Sequence, residues 1–549
     1  MSQIKIKSET EPRLSDDPQI NALLTDVVKR LKEYTENQVR HLNQLAKIGV
    51  ALTSTRNLSQ LLEMIVDEAR AFTRADGGTL YLVDSEQKSL LFTIVQTESL
   101  GIRMGGVTGA PISWNPVPLY LNGNPNHTNV CAYVVHTGQM VSIDNVYEAP
   151  GFNFEGTRKF DASTGYHSRS MLVIPMTDHE GTIIGVLQLL NAQDPKTGEV
   201  IPFPEEVKEL SQSLASQAAV AITNARLIQE LQNLFDSFIR VIAEAIDEKS
   251  PYTGGHIERV ANLTMAIAEK INEAQDGPYK DVHFTPDQLS ELRLAAWLHD
   301  TGKITTPEYV VDKRTKLETI MDRLELVRLR FELAKFSLKL NNFPSHPREV
   351  EEQCRQLDED FQFISSTNLS SEFLPDDKIE RLQAIAQREV IYNSSRECLL
   401  TPDELYNLSV RKGNLTPEQR KIIENHVVMT IKMLEKLPFP KKWKNVPAIA
   451  GAHHEKLNGK GYPKGLKGDE IPLQTRIMAL ADIFEALTAS DRPYKPAKKL
   501  SEVIKILNFM VKDNELDGDL VKFFLDQKMH LEYAHQHLRP DQIDVDGRE

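Results

Sequence analysis

The sequence predicts a multidomain chain: an α+β domain with one antiparallel sheet, then a long connector helix, then an all-α domain. Three observations carry this. Runs rich in β-branched and aromatic residues are confined to the stretch from Gly78 to Leu190, with helical patterns on both sides. From Pro204 to Lys249 apolar residues recur at three and four without a break. After that, every segment reads as helix, turn, helix. A chain of 549 residues also exceeds what one core usually holds, so two or three domains are expected.

Residues 1–18 are polar and read as a flexible tail. From Ile20 to Val50, Leu23, Val27, Leu31 and Val39 recur among charged residues, the pattern of a solvated or dimerising helix. A helix over Leu58–Phe72 leads into five strand-like runs: Gly78–Val83, Leu90–Val95, Met140–Val146, Met171–Pro175 and Ile183–Leu190. Turn formers bound them, as in Asp76-Gly77-Gly78 and Asp178-His179-Glu180-Gly181. Pro204 opens the connector, with Glu205 and Glu206 in its first turn, where the helix dipole favours anions. Leu227, Leu231, Leu234, Phe238 and Val241 continue its apolar repeat and suit one long helix, including one arm of a parallel pair. Two ordinary helices with a turn between them fit the same pattern. In the helical half, 313–400 stands apart as a highly charged insert. Leu317, Ile320, Leu324, Val327 and Phe331 open a helical hairpin there, and the Pro-interrupted Asn341–Pro347 reads as its tip. The expected boundaries are 1–40 for tail and first helix, 41–225 for the α+β domain, 226–250 for the connector, 251–515 for the helical domain with its insert, and 516–549 for a C-terminal tail.

Lys and Arg number 64 against 78 Asp and Glu, a formal charge of −14, which argues against a nucleic-acid polymer as partner. Cys131, Cys354 and Cys398 are the only cysteines, and their spacing suits neither a disulfide framework nor a zinc ribbon; a reducing, cytoplasmic setting is expected. The first residues lack the apolar stretch of a signal peptide, and no run of about 18 apolar residues offers a membrane span.

The histidines are the informative residues. His299-Asp300 ends an apolar helical run, with Lys303 one turn on; His453-His454 and Asp482 follow later, with His256 upstream and His426 inside another helical run. A lone helix histidine is more often a hydrogen-bonded core residue than a ligand. His-Asp and His-His doublets among apolar residues are different, because burying them costs free energy unless they are paired or bind metal. Imidazoles and carboxylates suit iron, manganese, nickel or zinc. An aspartate can bridge two such cations, and a cation pair activates water near neutral pH while binding phosphate oxygens. A nearby lysine can neutralise phosphoryl charge or protonate a leaving oxygen.

His299-Asp300-x-Gly302-Lys303 resembles the signature of the HD phosphohydrolase superfamily. His453-His454-Glu455-Lys-Leu-Asn-Gly459-Lys-Gly461-Tyr462-Pro463-Lys-Gly465, with Ala481-Asp482-Ile-Phe-Glu-Ala-Leu-Thr-Ala-Ser-Asp-Arg492-Pro493-Tyr494-Lys495, resembles its HD-GYP branch. Members of that branch are helical phosphodiesterases that open cyclic di-GMP to pGpG and often GMP, and some prefer other cyclic dinucleotides. Carried over by position, the resemblance implies His256, His299, Asp300, His426, His453, His454 and Asp482 as ligands of two divalent metals, with Asp300 bridging and catalytic. It implies that Lys303 faces the scissile phosphate, that Gly461, Tyr462 and Pro463 line the substrate, and that Arg492 and Lys495 hold its second phosphate or a guanine. Some members bind a third metal through a glutamate four residues before the first histidine; Tyr252 stands there, so two metals are expected. The insert 313–400 departs from the family's short connection. The competing classes are a domain that senses the dinucleotide or docks a partner without turnover, and a phosphodiesterase for another substrate, such as cyclic GMP-AMP.

The α+β segment resembles a GAF domain through Phe160-Asp161-Ala-Ser-Thr164-Gly165-Tyr166-His-Ser-Arg169-Ser170-Met171 and Gly185-Val-Leu-Gln-Leu-Leu-Asn191. The resemblance implies a cyclic mononucleotide as one ligand, with Thr164, Tyr166, Arg169 and Asn191 as candidates. Asn191 and Phe203 fit the cyclic-nucleotide pattern, whereas Ala192 and Val207-Lys208 depart from it, and a structural, dimerising domain fits equally well. A homodimer is expected by analogy with such domains and from the long helix.

Overall fold

In Met171–Thr177, Leu172, Ile174 and Met176 join one apolar cluster while Met171 and Val173 join another, the period-two pattern of a strand covered on both faces. The computed structural model describes residues 17–55, 57–249, 254–342, 346–369, 373–392, 395–490 and 497–545. They fall into two units, Met1–Leu234 and Phe235–Glu549. Of the tail 1–18 expected to be flexible, residues 1–16 lie outside the described residues, as do Tyr252, Arg492 and Lys495, while Asp17 caps and Pro18 begins helix Pro18–Ser54.

The first unit is built on β1 (Ala75–Val83), β2 (Ser89–Thr97), β3 (Ile102–Gly105), β4 (Val141–Ile143), β5 (Met171–Thr177) and β6 (Ile183–Gln193). They form an antiparallel sheet in the order β3-β2-β1-β6-β5-β4, with two-residue strands Val117–Pro118 on β2 and Val200–Ile201 on β6. On one face lie Leu61, Ile65 and Val66 of helix Leu58–Thr73, with Leu214, Ala218 and Ile222 of the connector. The other face packs Val130, Cys131 and Val134 of helix Val130–Thr137.

Asp76-Gly77-Gly78, read as a turn, belongs to β1 instead. A Cβ at Gly78 would come within 2.8 Å of Arg70 Cγ and Val66 Cγ1, so the glycine lets helix Leu58–Thr73 cross the strand closely. The expected strand over Met140–Val146 is only three residues long, Val141–Ile143.

The connector is one helix, Glu205–Asp247, without the turn that the sequence also allowed. The helical unit that follows has a core of Val260 and Ile267 from helix His256–Glu273, Leu294 and Leu298 from Pro286–Leu298, Ile477 and Phe484 from Leu473–Thr488, and Val503 from Leu500–Lys512. The stretch expected as a C-terminal tail, 516–549, is ordered into helices over its described part: Gly518–Asp526 and Met529–His537 add Leu520, Phe524 and Tyr533 to this core. The insert is more than a hairpin. Helices Leu324–Asn342, Pro347–Leu369 and Asp376–Ala386 and a two-stranded ladder, Glu389–Tyr392 with Ser395–Cys398, surround a core of Val327, Phe331, Ile364 and Leu382. No helix of the described residues is long and apolar enough to cross a membrane.

Candidate metal centre

Five segments of the helical unit converge on Asp300. His256 opens helix His256–Glu273 just after Gly255, whose φ of 75° suits glycine. His299 caps helix Pro286–Leu298, and Asp300 begins the 3-10 turn Thr301–Thr305 that carries Lys303. His426 lies in helix Pro417–Leu434, His453 and His454 follow helix Val446–Ala450, and Asp482 sits on helix Leu473–Thr488.

The two oxygens of Asp300 face different histidines. Oδ1 lies 3.3 Å from His426 Nε2 and 3.9 Å from His453 Nε2. Oδ2 lies 3.3 Å from His299 Nε2 and 3.7 Å from His256 Nε2. Asp482 Oδ1 closes the second side, 3.4 Å from His256 Nε2 and 4.0 Å from His299 Nε2. Three groups among the described residues have ligand atoms close enough to hold an ion: His426, His453 and His454; His256, His299 and Asp482; His299, Asp300 and His453. All seven residues expected as ligands are thus in one cluster, and all but the half-buried His454 are buried. Lys303 Nζ reaches Asp300 Oδ2 at 2.5 Å.

Backbone carbonyls orient the imidazoles. Nδ1 of His299 contacts Ala296 O at 2.7 Å, Nδ1 of His453 contacts Ala450 O at 2.6 Å, and Nδ1 of His426 contacts Ile423 O. A carbonyl only accepts, so each Nδ1 carries hydrogen and each Nε2 presents a lone pair inward when the ring is neutral. Nε2 of His299, His426 and His453 and Oδ1 of Asp300 are buried without a hydrogen-bond partner. Each such orphan costs about 1–3 kcal/mol, and four of them aimed at one place fit a divalent cation that accepts their lone pairs.

The charge pattern agrees. Burial alone would raise the Asp300 carboxyl, but Lys303, His299 and His256 outweigh it and hold the group well below the usual carboxylate range. Asp482 is likewise held low by His256 against its burial. Burial pushes His453 well down, helped by His454 and His299, and pushes His454 to about 4, so both imidazoles are neutral donors near pH 7. His256 goes the other way: burial opposes its charge, yet Asp300, Asp482 and Glu485 raise it well above the ordinary value. These carboxylates call for positive charge at their centre.

The residue families match the same segments. The GAF domain family matches residues 57–222, and two HD domain families match 253–386 and 379–520. The chain carries a GAF domain followed by an HD domain. A 3'3'-cGAMP-specific phosphodiesterase 3 of Vibrio cholerae is 27% identical over 320 residues, 57% of this chain and 45% of its own. A 3'3'-cGAMP-specific phosphodiesterase 1 of Vibrio cholerae is 36% identical over 125 residues, 22% of this chain and 27% of its own. A cyclic di-GMP phosphodiesterase of Thermotoga maritima is 40% identical over 96 residues, 18% of this chain and 26% of its own. The chain spans less than half the length of these relatives. Among solved structures, the GAF domain of an Acinetobacter phosphoenolpyruvate-protein phosphotransferase aligns with 35% of this chain and 98% of its own at 16% identity and a TM-score of 0.26.

Two residues of the HD domain had no role in the sequence reading. Glu485 lies one helical turn after Asp482; its Oε2 meets His256 Nδ1, and its Oε1 accepts from Arg259 Nε at 2.8 Å. Its only sequence signal is that spacing. We expect Glu485→Gln to weaken Mn(II) binding by about 10–100-fold, the usual range for a carboxylate behind a ligating histidine; an unchanged titration isotherm would refute that role. Glu455 is buried, and its carboxylate accepts from Lys464 N at 2.6 Å and Leu466 N at 2.9 Å, closing the loop that holds Gly461, Tyr462 and Pro463. A Cβ at Gly461 would meet Lys456 N at 2.4 Å, and the Tyr462 ring packs 4.9 Å from that of His454.

The GAF domain has an open cavity of about 600 Å³ walled by Tyr81, Phe92, Trp114, Cys131, Phe160 and Gln188. Thr164, Tyr166, Arg169 and Asn191 lie outside its lining. Asn191 is spent on the backbone: Oδ1 accepts from Arg169 N at 2.7 Å and Nδ2 donates to His167 O at 2.9 Å. Thr164 Oγ1 donates to Phe160 O, Arg169 reaches Val200 O, and the Tyr166 hydroxyl is buried.

Proposed function

We propose that the chain is a metal-dependent phosphodiesterase that opens a cyclic dinucleotide at the HD domain, with cyclic di-GMP as substrate and pGpG or GMP as product. The observation that carries this reading is Asp300, with one oxygen turned to His426 and His453 and the other to His256 and His299. That arrangement suits two divalent ions, Fe, Mn, Ni or Zn, with His454 and Asp482 completing the two sides. When bound, such ions polarise the phosphodiester and lower the pKa of the attacking water. Lys303 neutralises phosphoryl charge and protonates the leaving oxygen. Gly461, Tyr462 and Pro463 shape one wall of the substrate site, and Arg492 and Lys495 hold the distal phosphate or base. The names of the Vibrio relatives favour 3'3'-cyclic GMP-AMP as a second substrate. The test is turnover of each dinucleotide by the Mn(II)- or Fe(II)-loaded full chain, followed by chromatography. Linear products support the reading; binding without turnover under any metal would replace it with a sensor.

The same reading makes the chain a cytoplasmic homodimer regulated by a small ligand, such as a cyclic mononucleotide, at the GAF domain. Leu227, Leu231, Leu234, Phe238 and Val241 are exposed on the connector at four-three spacing, and Asn224 sits seven residues before Leu231. A polar residue at that heptad position specifies a two-stranded partner and its register. Leu231→Asp is expected to turn a dimer into a monomer at about micromolar concentration in light scattering. A wild type that is already monomeric sinks the proposal.

A further inference from the structure

The C-terminal turns of the connector touch several segments that carry the metal centre. Asp236 pairs with Arg293 at 3.0 Å, and Arg240 lies over the Trp297 ring, both on the helix that ends at His299. Ala243 and Ile246 pack with Ile257, and Asp247 Oδ2 accepts from Ile257 N at 3.2 Å, next to His256. Beyond the helix end, Lys249 Nζ donates to Lys303 O at 3.3 Å, Ile304 O at 2.5 Å and Thr306 O at 2.8 Å.

We propose that Lys249 is a positioning residue that fixes the turn carrying Lys303. The chemistry is specific. An ammonium has three donors and no acceptor, and here all three have carbonyl partners. They meet the C-terminal end of a 3-10 turn, where carbonyl oxygens concentrate negative potential. The turn is short: it spans only Thr301–Thr305, with Lys303 N donating to Asp300 O and Thr306 N to Lys303 O, and its first half is tied to helix Pro417–Leu434 through Gly302 N and Thr430 Oγ1, which leaves its C-terminal carbonyls to Lys249. On its other side Lys303 Nζ meets Asp300 Oδ2. Lys249 therefore sets where the Lys303 ammonium stands relative to Asp300 without touching substrate or ligands. Because it lies two residues beyond the connector, a displacement of the helix end reaches Lys303 directly.

The activity arm of the test rests on the phosphodiesterase reading; the exchange arm does not. In the full-length Lys249→Met protein, amide hydrogen exchange over 300–306 is expected to rise about tenfold, while Mn(II) stoichiometry stays that of wild type. If the protein turns over a cyclic dinucleotide, kcat falls about tenfold with KM nearly unchanged, and Lys249→Arg, which keeps the donors, restores most of both. Lys249→Gln gives an intermediate exchange rate and carries the test if the Met protein does not fold. Unchanged exchange in a folded Met or Gln variant overturns the inference, whether or not any variant is active. A kcat loss without an exchange change overturns it equally, and absence of turnover in wild type counts only against the phosphodiesterase reading.

Discussion

Asp300→Ala is expected to abolish turnover, by roughly a thousandfold or more, and to lower bound divalent metal below wild-type stoichiometry. The size follows from position. Asp300 is the carboxylate whose two oxygens face both histidine sets, and Lys303 contacts the same group. Truncation removes anionic charge from both sides at once and leaves Lys303 without this partner. A supporting residue behind one histidine costs about 10–100-fold, so Asp300→Ala should exceed Glu485→Gln clearly. Metal content and product formation are measured on the same preparations. Turnover within tenfold of wild type, at full metal content, would falsify the assignment of Asp300.

The parts of this centre that were legible in the sequence are those whose chemistry is unusual for their surroundings. A His-Asp doublet closing Leu292-Arg-Leu-Ala-Ala-Trp-Leu298 breaks an apolar run, and His453-His454 does the same after Ile449-Ala450. Glu485 was not legible, because a carboxylate on a helix ordinarily faces water, and only the fold shows it buried against His256 and Arg259. The carbonyls of Ala296, Ile423 and Ala450 that aim the imidazoles leave no side-chain trace at all.

The same contrast runs through the folds. The connector was readable because its three-four repeat lasts for many turns, whereas helix Val130–Thr137 was not. Val-Cys-Ala-Tyr-Val-Val has the composition of a strand, and the helix rests on its ends: Asn129 Oδ1 accepts from Cys131 N and Ala132 N, and Gly138 closes it with φ 67°. In the GAF domain the Asn191 amide bonds the backbone at Arg169 N and His167 O, a use that composition does not distinguish from ligand binding, since an asparagine amide bonds backbone as readily as ligand. The C-terminal helices were hidden by their shortness, nine residues each, too few for periodicity to stand out.

Gly302→Ala should be the most damaging substitution that alters no functional group. The Gly302 of His299-Asp300-Thr301-Gly302-Lys303 lies flat on helix Pro417–Leu434: a Cβ there would sit 1.9 Å from His426 O, 2.6 Å from Thr430 N and 2.8 Å from Thr430 Oγ1. Two of those atoms are backbone and cannot rotate aside. Thr430 also ties the segments together, its Oγ1 accepting from Gly302 N at 2.9 Å and donating to His299 O at 3.1 Å. The turn and the helix must therefore part by an ångström or more. Overpacking of this kind costs about 1–3 kcal/mol, and here it also breaks the Thr430 bonds and separates Asp300 Oδ1 from His426 Nε2, now 3.3 Å apart. The expected result is a thermal midpoint lower by several degrees, at about 2–4 °C per kcal/mol, with loss of at least one metal and of turnover. Gly254→Ala is the matched control, because nothing lies within 4 Å of a Cβ at that position. If Gly302→Ala melts with Gly254→Ala and binds metal as wild type does, the close contact between turn and helix does not exist in solution, and the convergence of His426 on Asp300 falls with it.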